Sequence, residues 1–267
     1  MGSIVWLASY PKSGNTWVRM LLNNYFLGDV ERQNLNSLDL STFGGSSKSS
    51  YRQVTDQDVD VLSDAEIMAL TAKAHRFITA QREGAIFVKT HNLLSQLHGV
   101  PLITKAATQG AIYIVRNPLD TVISVADHFG LSLDKAIDFI NNHNASTAPS
   151  ETMVRQIFCS WSENTRSWTA APPFPVWTVR YEDLHSDTEK TMTAVLRFMG
   201  ASVDPKKLQR AIKQSSFKAL KSMEKRDGFT EKSQHSKAFF RSDWVHRHSQ
   251  ANRHMQGCRV YEFPCAT

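Results

Sequence analysis

The chain is predicted to be α/β: a single domain over residues 1–267, with a central parallel β-sheet flanked by helices on both faces and a P-loop-like phosphate-binding loop after the first strand. Three observations carry that expectation. Short apolar runs at 4–8, 85–88, 111–115 and 176–179 read as buried strands, since a parallel strand covered on both faces needs apolar side chains in succession. Segments of helical periodicity lie between or after them, and strands alternating with helices build parallel sheets. No linker divides the 267 residues into two units.

The first strand, 4–8, runs into the turn Pro11-Lys12-Ser13-Gly14, and a helix is expected over 15–27. Asn15 or Thr16 supplies a capping side chain, and the apolar rows are Trp17/Leu21/Tyr25 and Val18/Leu22/Phe26. Ser41 to Ser50 is rich in serine and glycine and is expected to be a mobile loop, either a plain surface loop or a lid. Further helices are expected over 64–78, 118–128, 132–143, 151–169, 187–199 and 204–214. The helix from 118 has Asn117 as a cap and Pro118 at its first position.

Composition narrows the function classes. An apolar fraction of 41% supports a substantial core, and a net charge of +6 suits anionic ligands. The basic residues form no run of five or more, and no RNP or KH motif is present, so nucleic acid is not an expected partner. Cys159, Cys258 and Cys265 form no C-x-x-C pair and are expected to be reduced thiols of a cytoplasmic protein. No apolar run approaches the roughly 20 residues of a membrane span, and 4–8 is too short for a signal-peptide core, so membrane insertion is not expected. His246, His248 and His254 cluster without a carboxylate or cysteine partner and are not expected to bind a metal.

The strand exits point to chemistry. A strand, a glycine-containing turn and a helix start form an anion site: backbone amides converge, the helix dipole favours negative charge, and Lys12 adds a full charge. The loop is not G-x-x-x-x-G-K-[ST], because Lys12 precedes its only glycine. The other exits carry Lys89-Thr90-His91, Arg116-Asn117-Pro118 and Arg180. Ligands of open α/β sheets bind at these carboxyl ends. The site therefore suits a polyanion. Asp183 alone lies where a nucleoside-triphosphate enzyme would hold Mg²⁺. Arg116 and the helix after it make a second anion pocket, with Ser124 about two turns along near the face of Asp120. Two separated pockets suit a bisphosphate nucleotide. His91 is the candidate general base, since an ordinary imidazole pKa of about 6.5 suits proton removal near neutrality.

Pro-Lys-Ser-Gly-Asn-Thr-Trp at 11–17 and Val-Arg-Asn-Pro-Leu-Asp at 115–120, with Ser124 eight residues after the arginine, resemble the nucleotide-binding segments of the cytosolic-type sulfotransferases, in particular small bacterial-like ones. The resemblance runs with gaps from residue 4 to about 241. It implies 3′-phosphoadenosine 5′-phosphosulfate (PAPS) as sulfuryl donor, PAP as product and no metal. It also implies a small-molecule acceptor: a phenol, alcohol, amine or larger natural product. Lys12, Ser13, Gly14, Asn15 and Thr16 then hold the 5′-phosphosulfate, and Arg116 and Ser124 the 3′-phosphate. Trp17 stacks on adenine, with Tyr181, Ser215 and Phe217 nearby. His91 matches the catalytic histidine of Lys-Thr-His, with Lys12 and Lys89 as cations at the transferring group. Ser124 is implied to hold Lys12 back until an acceptor arrives.

Arg241 is matched to a further 3′-phosphate ligand, yet Phe239-Phe240-Arg241 runs straight into Ser242-Asp243-Trp244 without the family's Lys-Gly. The family's C-terminal dimer motif is not seen, which leaves oligomeric state open. Loops 28–60, 92–100, 129–150 and 225–245, with Phe43, Tyr51, Phe129, Phe229 and Phe239, are expected to line the acceptor pocket. Two other readings remain: a metal-dependent kinase or NTPase of related fold, and a non-catalytic PAP-binding module.

Overall fold

A computed structural model describes residues 1–28, 35–36 and 42–240. Arg241, His246, His248, His254, Cys258 and Cys265 lie outside the described residues. Strand β1 (Ser3–Ser9) leads into helix α1 (Asn15–Leu27). The edge strand β2 (Thr42–Gly44), the short α2 (Lys48–Arg52) and α3 (Asp64–Ala80) come next, then β3 (Ala85–Thr90). A small antiparallel hairpin, β4 (Gln96–Leu97) and β5 (Val100–Pro101), precedes β6 (Thr108–Val115). Helices α4 (Pro118–Phe129), α5 (Leu133–Asn141) and α6 (Trp161–Thr169) lead to β7 (Val176–Arg180). The described chain closes with α7 (Tyr181–Ser186), α8 (Thr188–Phe198), α9 (Pro205–Gln214) and α10 (Phe217–Asp227).

The five-stranded sheet has the order β2-β3-β1-β6-β7, and every described pairing within it is parallel. β1 lies in the middle and alternates its side chains between two cores. Val5 and Leu7 join Ile112, Ile114 and Val179 under α1, α8, α9 and α10. Ile4, Trp6 and Ala8 face the other way, against Ile78 of α3 and Trp168 of α6. Ile4, Trp6 and Leu7 are all 0% exposed. At about 1.5–3 kcal/mol for each large apolar side chain, that burial fixes the strand from which the first loop departs.

The path from β1 outward to β2 and β3, then back across to β6, opens a crevice at the carboxyl end of β1, where ligands of such sheets bind. Register aims the exits at one another: Ala8 pairs with Thr90 on one side and with Tyr113 on the other.

Several expectations are corrected. The segment 151–169 is helical only from Trp161, because Ser160 and Glu163 form a capping box there. Before it the chain is extended: Met153 bridges Ser47, Ile157 bridges Ser146, and Val154 N donates to Ser46 O. The serine- and glycine-rich stretch contains β2, which lengthens the sheet by pairing with β3, and the start of α2. Helix α10, absent from the sequence reading, starts where the Ser216 hydroxyl accepts from Ala219 N. Phe26, assigned to an apolar row of α1, is 47% exposed.

Candidate active site

The loop after β1 turns tightly: Ser13 N donates to Tyr10 O at 3.3 Å, and Lys12 adopts a left-handed φ of 68°. Such a conformation costs a non-glycine residue about 1–2 kcal/mol. Arg116, arriving from the end of β6, braces it by donating to the Lys12 carbonyl at 3.2 Å. Gly14 has φ 100°, and a Cβ there would meet Cδ2 of Tyr181 at 2.5 Å. The ring therefore packs flush against bare backbone.

Gly14, not Asn15 or Thr16, occupies the cap position of α1, and no side chain caps it. That corrects the expectation from sequence. Asn15 turns inward to donate to Leu7 O and to the Ser9 hydroxyl. The start of α1 thus keeps its amide dipoles uncovered by a capping side chain, which favours an anion.

A cavity of about 300 Å³ opens here. Lys12, Gly14, Asn15, Thr16 and Trp17 form its floor. Lys89 and His91 enter from β3, Arg116 and Ser124 from β6 and α4, and Tyr181 and Phe217 from the far side. Two matched residues and one strand-exit cation stand apart. Ser13 is fully buried behind the loop, and its hydroxyl has no hydrogen-bond partner among the described residues. The Ser215 hydroxyl, also fully buried, accepts from Asn24, while its carbonyl accepts from Trp17 Nε1 at 2.9 Å. Arg180, the fourth strand-exit cation, is exposed and pairs with Asp183 instead of facing the cavity.

His91 has a defined tautomer. Its Nδ1 lies 2.8 Å from Ser9 O, and a carbonyl can only accept, so Nδ1 carries the proton and Nε2 keeps its lone pair. Gln156 and Asn164 hold its backbone N and O. Burial first, and Lys89 next, depress the imidazole pKa to about 3, so His91 is neutral at pH 7. Burial also lowers Lys12 to about 8; Glu231 opposes this shift and Lys89 reinforces it.

Arg116 is 3% exposed, with its guanidinium 4.4 Å from the centre of the Tyr181 ring. Trp17 meets Phe217 at 4.8 Å between centroids and Tyr181 at 5.7 Å, giving one wall of the cavity an aromatic surface.

Residues missed from sequence complete the site. The Lys12 ammonium lies 3.3 Å from Nδ1 of His128, one turn beyond Ser124 on α4, and 4.4 Å from the centre of the Phe239 ring. Burial and the Lys12 charge hold the His128 pKa down at about 4, so the imidazole accepts from the ammonium. Glu231 enters from the segment after α10 and meets Thr16, Arg19 and Lys89. Arg19 was legible as the one charged residue in an otherwise uncharged α1; Glu231, 142 to 215 residues from its partners, carried no local signal. Of the expected acceptor-loop aromatics, Phe129 and Phe239 face the cavity, joined by Phe158 and Phe240. Tyr51, Phe43 and Phe229 pack into or against the hydrophobic cores.

The arrangement combines an uncapped helix start, converging cations, an aromatic wall and a neutral histidine with a free lone pair. A family model described as "Sulfotransferase domain" matches residues 3–256. The chain belongs to the sulfotransferase-domain family. Mouse Sulfotransferase 2A1 is 31% identical over 114 residues, covering 42% of this chain and 38% of that protein. Over the first three curated relatives the matched stretch spans 38%, 38% and 44% of their own lengths.

Two solved structures superpose over nearly the whole chain. Mouse sulfotransferase SULT7A1 complexed with PAP gives a TM-score of 0.56 at 18% identity, covering 95% of this chain and 81% of that one. Retinol dehydratase in complex with androsterone and inactive cofactor PAP gives 0.61 at 14% identity, covering 98% and 82%. At these identities the likeness is one of fold.

Proposed function

We propose that this protein transfers the sulfuryl group of PAPS to a hydroxyl or amine of a small apolar acceptor. One observation carries the reading: His91, with Nδ1 committed to Ser9 O and Nε2 left unprotonated, lines the same cavity as Lys12, Lys89 and Arg116. The residues fit the donor. The start of α1, Thr16 and Lys12 suit the 5′-phosphosulfate, and the anionic Glu231 side chain already lies against Thr16 and two cations there. Arg116 and Ser124 suit the 3′-phosphate, and the Trp17 and Phe217 rings suit the adenine.

In this reading His91 Nε2 takes the acceptor proton while the new O–S (or N–S) bond forms and the bond from sulfur to the 5′-phosphate oxygen breaks. Lys12 and Lys89 meet the charge that develops on the leaving oxygen. Positioning and electrostatic stabilisation then do most of the catalysis, as in phosphoryl transfer. Phe129, Phe158, Phe239 and Phe240 give the remaining wall an apolar face, which suits a hydrophobic alcohol or phenol.

Calorimetric titration with PAP, beside ATP with Mg²⁺, tests the donor, and a screen of apolar alcohols and phenols with labelled PAPS tests transfer. Micromolar or tighter PAP binding, with weak ATP binding and label in an acceptor, is expected. No PAP binding would overturn the proposal; tight PAP binding with transfer to no acceptor would favour a binding module.

A further inference from the structure

The segment 228–240 follows α10 and crosses the cavity as a strap. The Phe239 and Phe240 amides donate to Glu224 of α10, and the Ser236 hydroxyl donates to Asp127 of α4. Thr230 N donates to the Asn36 side chain. Between these anchors the strap lowers one carboxylate into the cradle. Oε2 of Glu231 accepts from the Thr16 hydroxyl at 2.8 Å. Oε1 accepts from Arg19 at 2.6 Å and from Lys89 at 3.3 Å. Arg19 is a buried cation, its side chain 2% exposed. Thr16 is in the first turn of α1, the helix start that no side chain caps.

A carboxylate bound by a hydroxyl and two cations at the start of a helix is the arrangement expected for a bound phosphate or sulfonate oxygen. Here the anion comes from the chain itself. Burial would raise the Glu231 pKa, but the Lys89 and Arg19 charges, with the bonds from Arg19 and Thr16, drive it well below the usual carboxylate range. The group therefore stays charged wherever the fold persists near neutrality.

We infer that Glu231 is an internal anion that sets donor affinity: it occupies part of the 5′-phosphosulfate cradle and must be displaced before the donor can seat. The inference rests on the proposed function, since it concerns the same cradle. A donor phosphate entering with Glu231 in place would set like charges side by side around Thr16 and Lys89, so the two occupants exclude each other. Only protein with the carboxylate withdrawn binds, and apparent affinity falls by the fraction of molecules in that state. Displacement also loosens the strap, whose Phe239 ring covers the Lys12 ammonium, so donor entry and release of Lys12 are one event.

Glu231→Gln tests this, with PAP and inorganic pyrophosphate as probes. Neutralising the internal anion should tighten both ligands by about tenfold or more. The unliganded Tm should fall at the same time, because Arg19 and Lys89 lose their counter-charge. A merely structural glutamate would lower Tm and leave affinity unchanged or weaker, and that result would overturn the inference. Glu231→Asp, one methylene shorter, should shift affinity in the same direction and serves if the glutamine variant does not fold. In the wild type, pyrophosphate should raise hydrogen exchange of amides 229–232; unchanged exchange would also count against displacement. If wild type and variant bind neither ligand, both the inference and the proposed function fail. If both bind PAP equally, the function stands and the inference alone falls.

Discussion

Gly14→Ala isolates the packing that shapes the first loop. The position has φ 100°, and the added methyl carbon would sit 2.5 Å from Cδ2 and 2.9 Å from Cε2 of Tyr181. The backbone conformation costs an alanine about 1–2 kcal/mol, and forcing a ring out of a packed site costs about 1–3 kcal/mol more. The sum, about 2–5 kcal/mol, lowers Tm by about 4–20 °C for a domain of this size. Gly84→Ala is the control, because Gly84 has φ 77° and nothing within 4 Å of its added Cβ. It should show the backbone cost alone, about 1–2 kcal/mol. Tyr181 also lies against the Arg116 guanidinium, so only the Gly14 variant should weaken PAP binding. The assays are thermal unfolding and PAP calorimetry on both variants, and on Gly14→Ala combined with Tyr181→Ala, where the clash is gone and the two costs should be non-additive. Equal Tm losses at Gly14 and Gly84, with PAP affinity untouched, would refute the view that Tyr181 is what demands glycine in the loop.

His91→Asn should abolish transfer while PAP affinity stays within about threefold of wild type, since the imidazole is assigned to the acceptor proton; wild-type turnover would remove the base assignment. Arg116→Ala should weaken PAP binding by about 10- to 150-fold, the worth of a charged hydrogen bond, and lower Tm as well, because the same side chain braces the Lys12 carbonyl. With an acceptor alcohol that does not ionise, kcat/KM should fall above about pH 8, as Lys12, depressed from 10.5, loses its proton. It should show no acid limb near pH 6.5, because His91 in the free protein is held down to about 3 and stays neutral. An acid limb at 6.5 with activity flat to pH 10 would contradict both assignments.

Local chemistry accounts for much of what was legible. The runs at 4–8 and 111–115 are apolar because both faces of their strands are covered, and that constraint is written residue by residue. The cap pair Asn117-Pro118 announces α4 in the same way, and the Asn117 side chain does accept from Leu119 N at 2.9 Å. The expected helix over 151–169 failed before Trp161 because residues there pair with other segments: Met153 bridges Ser47, Val154 N donates to Ser46 O, and Ile157 bridges Ser146, pairings that leave no helical period in the sequence. Asn15 failed as a cap for a related reason: Leu7 O and the Ser9 hydroxyl, brought close by the turn, take its amide donor.

The sequence by itself determined the strand segments β1, β3, β6 and β7, the loop Pro11–Gly14 and the strand-exit residues Lys89, His91 and Arg116, since each is written in residue types within a few positions along the chain. Tertiary structure alone decided which of them share a cavity. It turned the Ser215 hydroxyl into the core, left Arg180 outside, set His128 against Lys12 and fixed the tautomer of His91 through Ser9. It also brought Glu231 across more than 200 residues to Thr16 and Arg19. Charge pairing at contact distance depends on where the folded chain returns to itself, and a linear pattern of residue types holds no record of that return.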